Sequence, residues 1–160
     1  GLLLLLVAGS ALADHHAAVS PPRQQAIIDA CTRTNQDYQF HRDRGNAEAY
    51  GALFTEDAEF ALQKPLKGRG EITAAMEKRF AERASRHFIN VVQLDVTGLD
   101  TAEGLIYLML VGGARGSADA RPRGSVDLVA EYRDQYVMDG DRCLIQRRAV
   151  EIIFWTQPAG

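Results

Sequence analysis

From residue 87 to residue 155 the chain runs through four strand-like segments in succession, HFINVVQLDVTG, AEGLIYLMLVGG, SVDLVAEYRDQYVM and CLIQRRAVEIIFW. All four are rich in β-branched, aromatic and long apolar residues. Along SVDLVAEYRDQY, Val126, Leu128, Ala130, Tyr132 and Tyr136 fall on one face, and Asp127, Glu131 and Arg133 on the other. That period of two describes a strand with one face against a core and the other toward water. Asp139-Gly140 carries the signal of a tight hairpin. The polar stretch GGARGSADARPRGS separates two of the strands and reads as a solvated loop, since no helix follows it to complete a phosphate cradle.

The sequence ahead of this block has a different period. After Pro21 and Pro22, Ile27, Ile28, Cys31, Asn35 and Tyr38 recur at helical intervals, which predicts a long first helix stopped at Gly45. Arg42 and Arg44 suit the negative end of its dipole. Asn46 caps a short second helix through AEAYGALF, DAEFAL reads as a strand, and KPLKGRG carries turn signals. From about Gly70 helical spacing returns through Ile72, Met76 and Phe80, and is expected to persist to Arg86. Helices first and antiparallel strands second predict an α+β domain with the helices packed on one face of a sheet. If that sheet curves into a cone, a polar residue inside its mouth must be paired or functional.

The first thirteen residues, GLLLLLVAGSALA, form an apolar run ending in an A-x-A pattern. They are expected to be the remnant of a secretory signal peptide cleaved before Asp14, with residues 14–22 a flexible mature N-terminus and residues 23–157 the folded domain. The run falls short of the roughly 20 residues a membrane span takes, so no membrane anchor is expected. Export to the periplasm or beyond would permit a disulfide. Cys31 and Cys143 are the candidates, but each sits in an apolar or amphipathic segment, and two separately buried thiols are the expected state. Asp14-His15-His16 at a new terminus would supply the nitrogen donors of a square-planar Cu(II) or Ni(II) site. The formal net charge of -3 offers no excess of cations to neutralise a phosphate backbone, which argues against nucleic acid as a partner. No dinucleotide fingerprint, P-loop, H-E-x-x-H or C-x-x-C motif is present.

The order helix, helix, short strand, helix, four long strands resembles the NTF2-like cone, and FTEDAEFAL…LKGRGEITAAM resembles the SnoaL-like branch of that superfamily. The resemblance spans roughly residues 24 to 157. The nearest catalytic pattern is that of the scytalone dehydratase and hexachlorocyclohexane dehydrochlorinase group. Such enzymes carry an acid about fourteen residues before the D-A-x-F phrase and a histidine at the start of the strand after the third helix. Asp43 and His87 match those positions, and Arg148 matches a basic residue late in the last strand. The resemblance makes Tyr38 a pocket-lining aromatic; Phe60 and Tyr132 are further candidates for the substrate wall.

This set implies a division of labour. An imidazole is a moderate base with a pKa of about 6.5. A carboxylate bonded to Nδ1–H selects the tautomer, points Nε2 at the substrate and stabilises the imidazolium that forms. Asp43 would do this for His87, and His87 would take a proton from carbon. Arg148 would stabilise a departing anion or an enolate oxygen. The implied activity is that of a cofactor-independent lyase or isomerase acting on a small hydrophobic or polycyclic molecule, in a homodimer formed through the outer sheet face. Two other readings remain open: a module that binds such a ligand without transforming it, and an assembly domain whose sheet meets a partner. Because Arg147 and Arg148 point to opposite faces of one strand, which of them enters the cone depends on a one-residue register. Scytalone dehydratase-like sites also carry a second histidine, and the sheet segments here hold only His87.

Overall fold

The computed structural model describes residues 19–116 and 123–156. The expected signal remnant, the Asp14-His15-His16 terminus and the middle of the polar loop lie outside the described residues. Helix α1 spans Pro21–Arg44, α2 Ala47–Gly51 and α3 Arg69–Glu82; strand β1 spans Phe54–Ala61, β2 Leu66–Lys67, β3 Arg83–Val96, β4 Thr101–Ala114, β5 Ser125–Asp139 and β6 Arg142–Trp155. The six strands form one sheet in the order β2-β1-β6-β5-β4-β3. Strands β3 to β6 make an antiparallel meander, and β1 joins β6 in parallel. Register shifts interrupt β3–β4, β4–β5 and, twice, β5–β6. Each such bulge bends its strand and adds twist, and together they curl the sheet around the helices without closing it.

The buried stripe of α1 is Ile27, Cys31, Thr34, Asn35, Tyr38 and Arg42, the three-and-four spacing of a helix face. Gly45 ends the helix in the left-handed region at φ 75°, where only glycine is unstrained, and its backbone N–H bonds back to Arg42. The Asn46 side chain accepts a hydrogen bond from Ala49 N and starts α2. Gly140, at φ 62°, turns the β5–β6 hairpin. Inside the curl, Ile106, Leu108, Leu110, Ala130, Tyr132, Tyr136 and Ile145 meet the apolar faces of α1 and α3.

Three expectations need correction. Helix α3 ends at Glu82 rather than Arg86, because residues 83–86 pair with residues 111–114 of β4, and that ladder outweighs local helical preference. His87 is therefore the fifth residue of its strand. Within the turn-rich KPLKG, Leu66 and Lys67 form a short edge strand against β1. The two cysteines are not separate thiols: Cys31 and Cys143 form a disulfide that joins α1 to β6, with Cα atoms 5.0 Å apart. Each is buried in its own element, as expected, but the helix packs so that the two buried faces are the same contact. Thr34, one turn on from Cys31, donates to the carbonyl of Cys143 at 2.7 Å and ties the same seam.

Candidate active site

The end of α1 docks on the first half of β3. Asp43 Oδ1 lies 2.6 Å from His87 Nδ1, and Oδ2 accepts the backbone N–H of His87 at 2.8 Å. Both carboxylate oxygens thus meet His87 and hold its ring in a single orientation, and Oδ1 also accepts from Ser85 Oγ at 3.4 Å. Arg86 donates to the Asp43 carbonyl at 3.0 Å and closes the seam from outside.

The far side of the imidazole is also occupied. Arg42 Nε donates to His87 Nε2 at 3.1 Å. A guanidinium can only donate, so Nε2 carries a lone pair and the Nδ1 proton goes to Asp43: the ring is neutral, in the tautomer a base requires. Arg42 Nη1 points at Met76 Sδ on α3. Reading Arg42 as a charge at the helix terminus is therefore corrected. It continues the Ile27, Cys31, Asn35, Tyr38 stripe by one further turn and is buried, whereas Arg44 is exposed and stacks on Phe40.

Burial lowers the His87 pKa; the hydrogen bond it donates to Asp43 opposes this, the charge of Arg42 adds to it, and the net shift is downward. A histidine whose folded pKa lies below its unfolded value of about 6.5 stabilises the fold above that value and loses the contribution as pH falls toward the folded pKa. The His87 ring resonances should accordingly titrate below pH 6.5 in an NMR pH series, and the acid-side loss of stability should be shallower in His87→Ala.

A second polar cluster lies deeper. Arg148 is fully buried and Arg147 faces out toward Glu59, 3.5 Å away, which decides between the two arginines. Arg148 does not reach His87. Its Nε donates to Asp134 Oδ1 at 2.8 Å, its Nη2 to Asp134 Oδ2 at 2.5 Å and to Asn35 Oδ1 at 2.8 Å. Tyr136 O–H donates to the same carboxylate and accepts from Asn35 Nδ2. Burial works against the Arg148 charge, but the Asp134 carboxylate outweighs it and raises the pKa above the ordinary guanidinium value. Asp134 is the centre of this network; its alternation with Tyr132 and Tyr136 places it on the inner face.

Tyr38 connects the two clusters. Its ring centroid lies 6.3 Å from that of His87, 5.8 Å from that of Tyr132 and 4.0 Å from the Arg148 guanidinium carbon. Its buried hydroxyl has no hydrogen-bond partner of normal geometry among the described residues, and neither has that of Tyr50, whose ring is 4.9 Å away. Burial pushes the Tyr38 pKa up, but Arg42 and Arg148 on either side outweigh it and the net shift is downward. Tyr50 was not singled out by sequence, and only its place in an apolar run signalled that it turns inward. Tyr132 stacks against Arg148 at 4.4 Å, and Phe60 packs on Phe54 with ring centroids 6.2 Å apart, within the β1 side of the core. No group of acids, histidines and cysteines arranged to hold a metal occurs among the described residues.

The profile of the SnoaL-like domain matches residues 24–149. The chain belongs to this family. Solved structures share the fold at low identity. A hexachlorocyclohexane dehydrochlorinase of type 2 superposes with a TM-score of 0.75 at 14% identity, over 88% of this chain and 95% of its own. A proposed scytalone dehydratase from Novosphingobium aromaticivorans gives 0.74 at 21% identity, over 86% and 91%. An NTF2-like protein with a cystatin-like fold from the same species gives 0.67 at 21%, over 81% and 83%. Among curated proteins none matches. These likenesses show an α+β NTF2-like fold with a curved, unclosed and mostly antiparallel sheet. No helix among the described residues is long and apolar enough to cross a membrane.

Proposed function

We propose that this SnoaL-like protein is a cofactor-independent lyase or isomerase in which His87 removes a proton from a carbon of a small apolar or polycyclic molecule. One observation carries the reading: both oxygens of Asp43 are spent on His87, which leaves Nε2 the only basic position of a neutral, oriented imidazole. Asp43 is then a positioning residue, and its charge offsets the imidazolium that forms. The proton passes from carbon to Nε2. The electron pair left behind forms a double bond as a leaving group departs, or moves onto a carbonyl oxygen as an enolate. Tyr38, whose pKa the two neighbouring arginines lower, would hydrogen-bond that oxygen. Arg148 acts through Tyr38 and Tyr132, over whose rings its guanidinium lies; Asp134 and Asn35 hold its Nε and Nη2, and Nη1 has no hydrogen-bond partner among the described residues.

Arg42 must leave Nε2 before the base can work. The same contact favours a second reading, in which the chain binds its ligand without transforming it and Arg42 remains a structural cap. Solvent-deuterium exchange decides between them. Candidate substrates with acidic C–H bonds, beginning with scytalone and hexachlorocyclohexane, would be incubated in D2O and followed by mass spectrometry. The expected result is turnover or deuterium uptake that falls by about 10²–10⁴-fold in His87→Ala. Ligands that bind but undergo neither, or a His87→Ala variant as active as the parent, would remove the catalytic reading.

Two further properties belong to this proposal. Export of the protein is supported by the apolar first thirteen residues and by a buried disulfide of the kind oxidising compartments permit. A homodimer through the outer sheet face is supported by register: Phe88, Met109, Val129 and Phe154 lie opposite one another across four strands, with Phe88 48% and Phe154 66% exposed.

A further inference from the structure

The row beside that apolar one, on the inner face of the sheet, contains His87 itself. Register places His87 opposite Leu110, Leu110 opposite Leu128, and Leu128 opposite Trp155. Directly opposed residues share a face, so these four side chains form one line across β3, β4, β5 and β6. With strands about 4.8 Å apart, the line is roughly 14 Å long. Its last three members, Leu110, Leu128 and Trp155, line a cleft of about 830 Å3 that opens between the sheet and α3. The cleft therefore has an apolar floor leading to the imidazole. Trp155 is 61% exposed, so an indole face is available within it.

Among the described residues the charges around this floor do not balance. Arg79, Arg83 and Arg123 line the cleft with a single carboxylate, Asp127. Arg83 takes that carboxylate at 2.6 Å. Arg79, on the last turn of α3, has no ion-pair partner among the described residues, and partial burial together with the charges of Arg42 and Arg83 depresses its pKa below the ordinary guanidinium value. Surplus positive charge beside an apolar floor calls for an apolar anion.

We propose that the cleft receives an aromatic carboxylate, its rings laid over Leu110, Leu128 and Trp155 and its carboxylate paired with Arg79 on the α3 side. The planar fork of a guanidinium matches two carboxylate oxygens, and the indole offers the stacking surface. A molecule of two or three fused rings lies over the floor, whose Leu110 end stands opposite His87 in the β3–β4 ladder. As a substrate class this deepens the proton-abstraction reading and rests on it; as a binding site it is tested by itself.

The protein has a single tryptophan, so one indole N–H resonance reports on the cleft. Calorimetry and that resonance would be followed during titration with 1-naphthoate, with its neutral isostere 1-naphthamide, and with acetate. The expected result is that 1-naphthoate shifts the Trp155 signal and binds about tenfold more tightly than 1-naphthamide, while acetate shows no saturable binding. Arg79→Gln should erase the preference for the acid, and Arg79→Lys should restore part of it. Equal affinity for acid and amide, or an unchanged preference in Arg79→Gln with the protein folded by circular dichroism, would overturn the assignment. Preferential binding without proton exchange for any ligand would uphold the site and remove the catalytic reading; exchange on neutral substrates with no preference for acids would do the reverse.

Discussion

Asp134→Ala is expected to cost about 3–5 kcal/mol, enough to leave the fold marginal at room temperature against a total of roughly 5–15 kcal/mol. The carboxylate is buried, and it accepts from two nitrogens of Arg148 and from the Tyr136 hydroxyl. Truncating it leaves a fully buried guanidinium facing two aromatic rings, with Asn35 as its remaining hydrogen-bond acceptor. The cost comes from that stranded charge more than from the lost attraction, because removing both charges from water already offsets much of what their pairing contributes. A double variant, Asp134→Ala with Arg148→Met, should therefore recover a large part of the loss. Urea unfolding followed by circular dichroism would measure all three proteins. A double variant no more stable than Asp134→Ala would show that the pair contributes attraction and not mutual compensation.

Reduction of the disulfide should have an effect of similar size. Cys31 and Cys143 are 112 residues apart in sequence, so the bridge closes most of the folded domain into one loop. Loop-closure entropy for a chain of that length corresponds to about 4–5 kcal/mol of destabilisation of the unfolded state, with measured losses for native bridges of about 2–5 kcal/mol. At a urea slope of roughly 1–3 kcal/mol per molar, the midpoint should fall by at least about 0.7 M in Cys31→Ala/Cys143→Ala or under strong reductant. Both sulfurs are buried, so a reductant should act at the rate at which the chain opens. Identical midpoints with and without the bridge would contradict this account.

Much of the site was legible because it follows from periodicity. Helical spacing from Ile27 through Cys31, Asn35 and Tyr38 defines the inward face of α1, and one more turn reaches Arg42. The sequence reading stopped that stripe at Tyr38 because an arginine in the last turn of a helix has an ordinary explanation in the helix dipole. Alternation along β5 likewise puts Asp134 between two inward tyrosines, where an acid is uncommon unless it is paired, as Asp134 is with Arg148. The resemblance to the dehydratase and dehydrochlorinase group marked Asp43 and His87 as candidates. That both oxygens of Asp43 would be spent on His87, and that Arg42 would stand at Nε2, depends on how the end of α1 meets β3.

The choice between Arg147 and Arg148 shows where local pattern stops. From the hairpin at Asp139-Gly140, an uninterrupted ladder pairs Tyr136 with Ile145 and would carry Arg147 to a place opposite Asp134. A shift between Gln135 and Tyr136 adds one residue, puts Arg148 there instead and sends Arg147 out to Glu59. The amino-acid order alone determined the helices, the strand block and most of the buried stripes, each a repeating signal carried by neighbours along the chain, and its motifs resemble the family whose profile matches. Only the folded molecule decided the disulfide, the capping of His87 by Arg42 and the arginine that enters the cone. Those depend on contacts between distant segments, where a single bulge reverses which side of a strand faces inward.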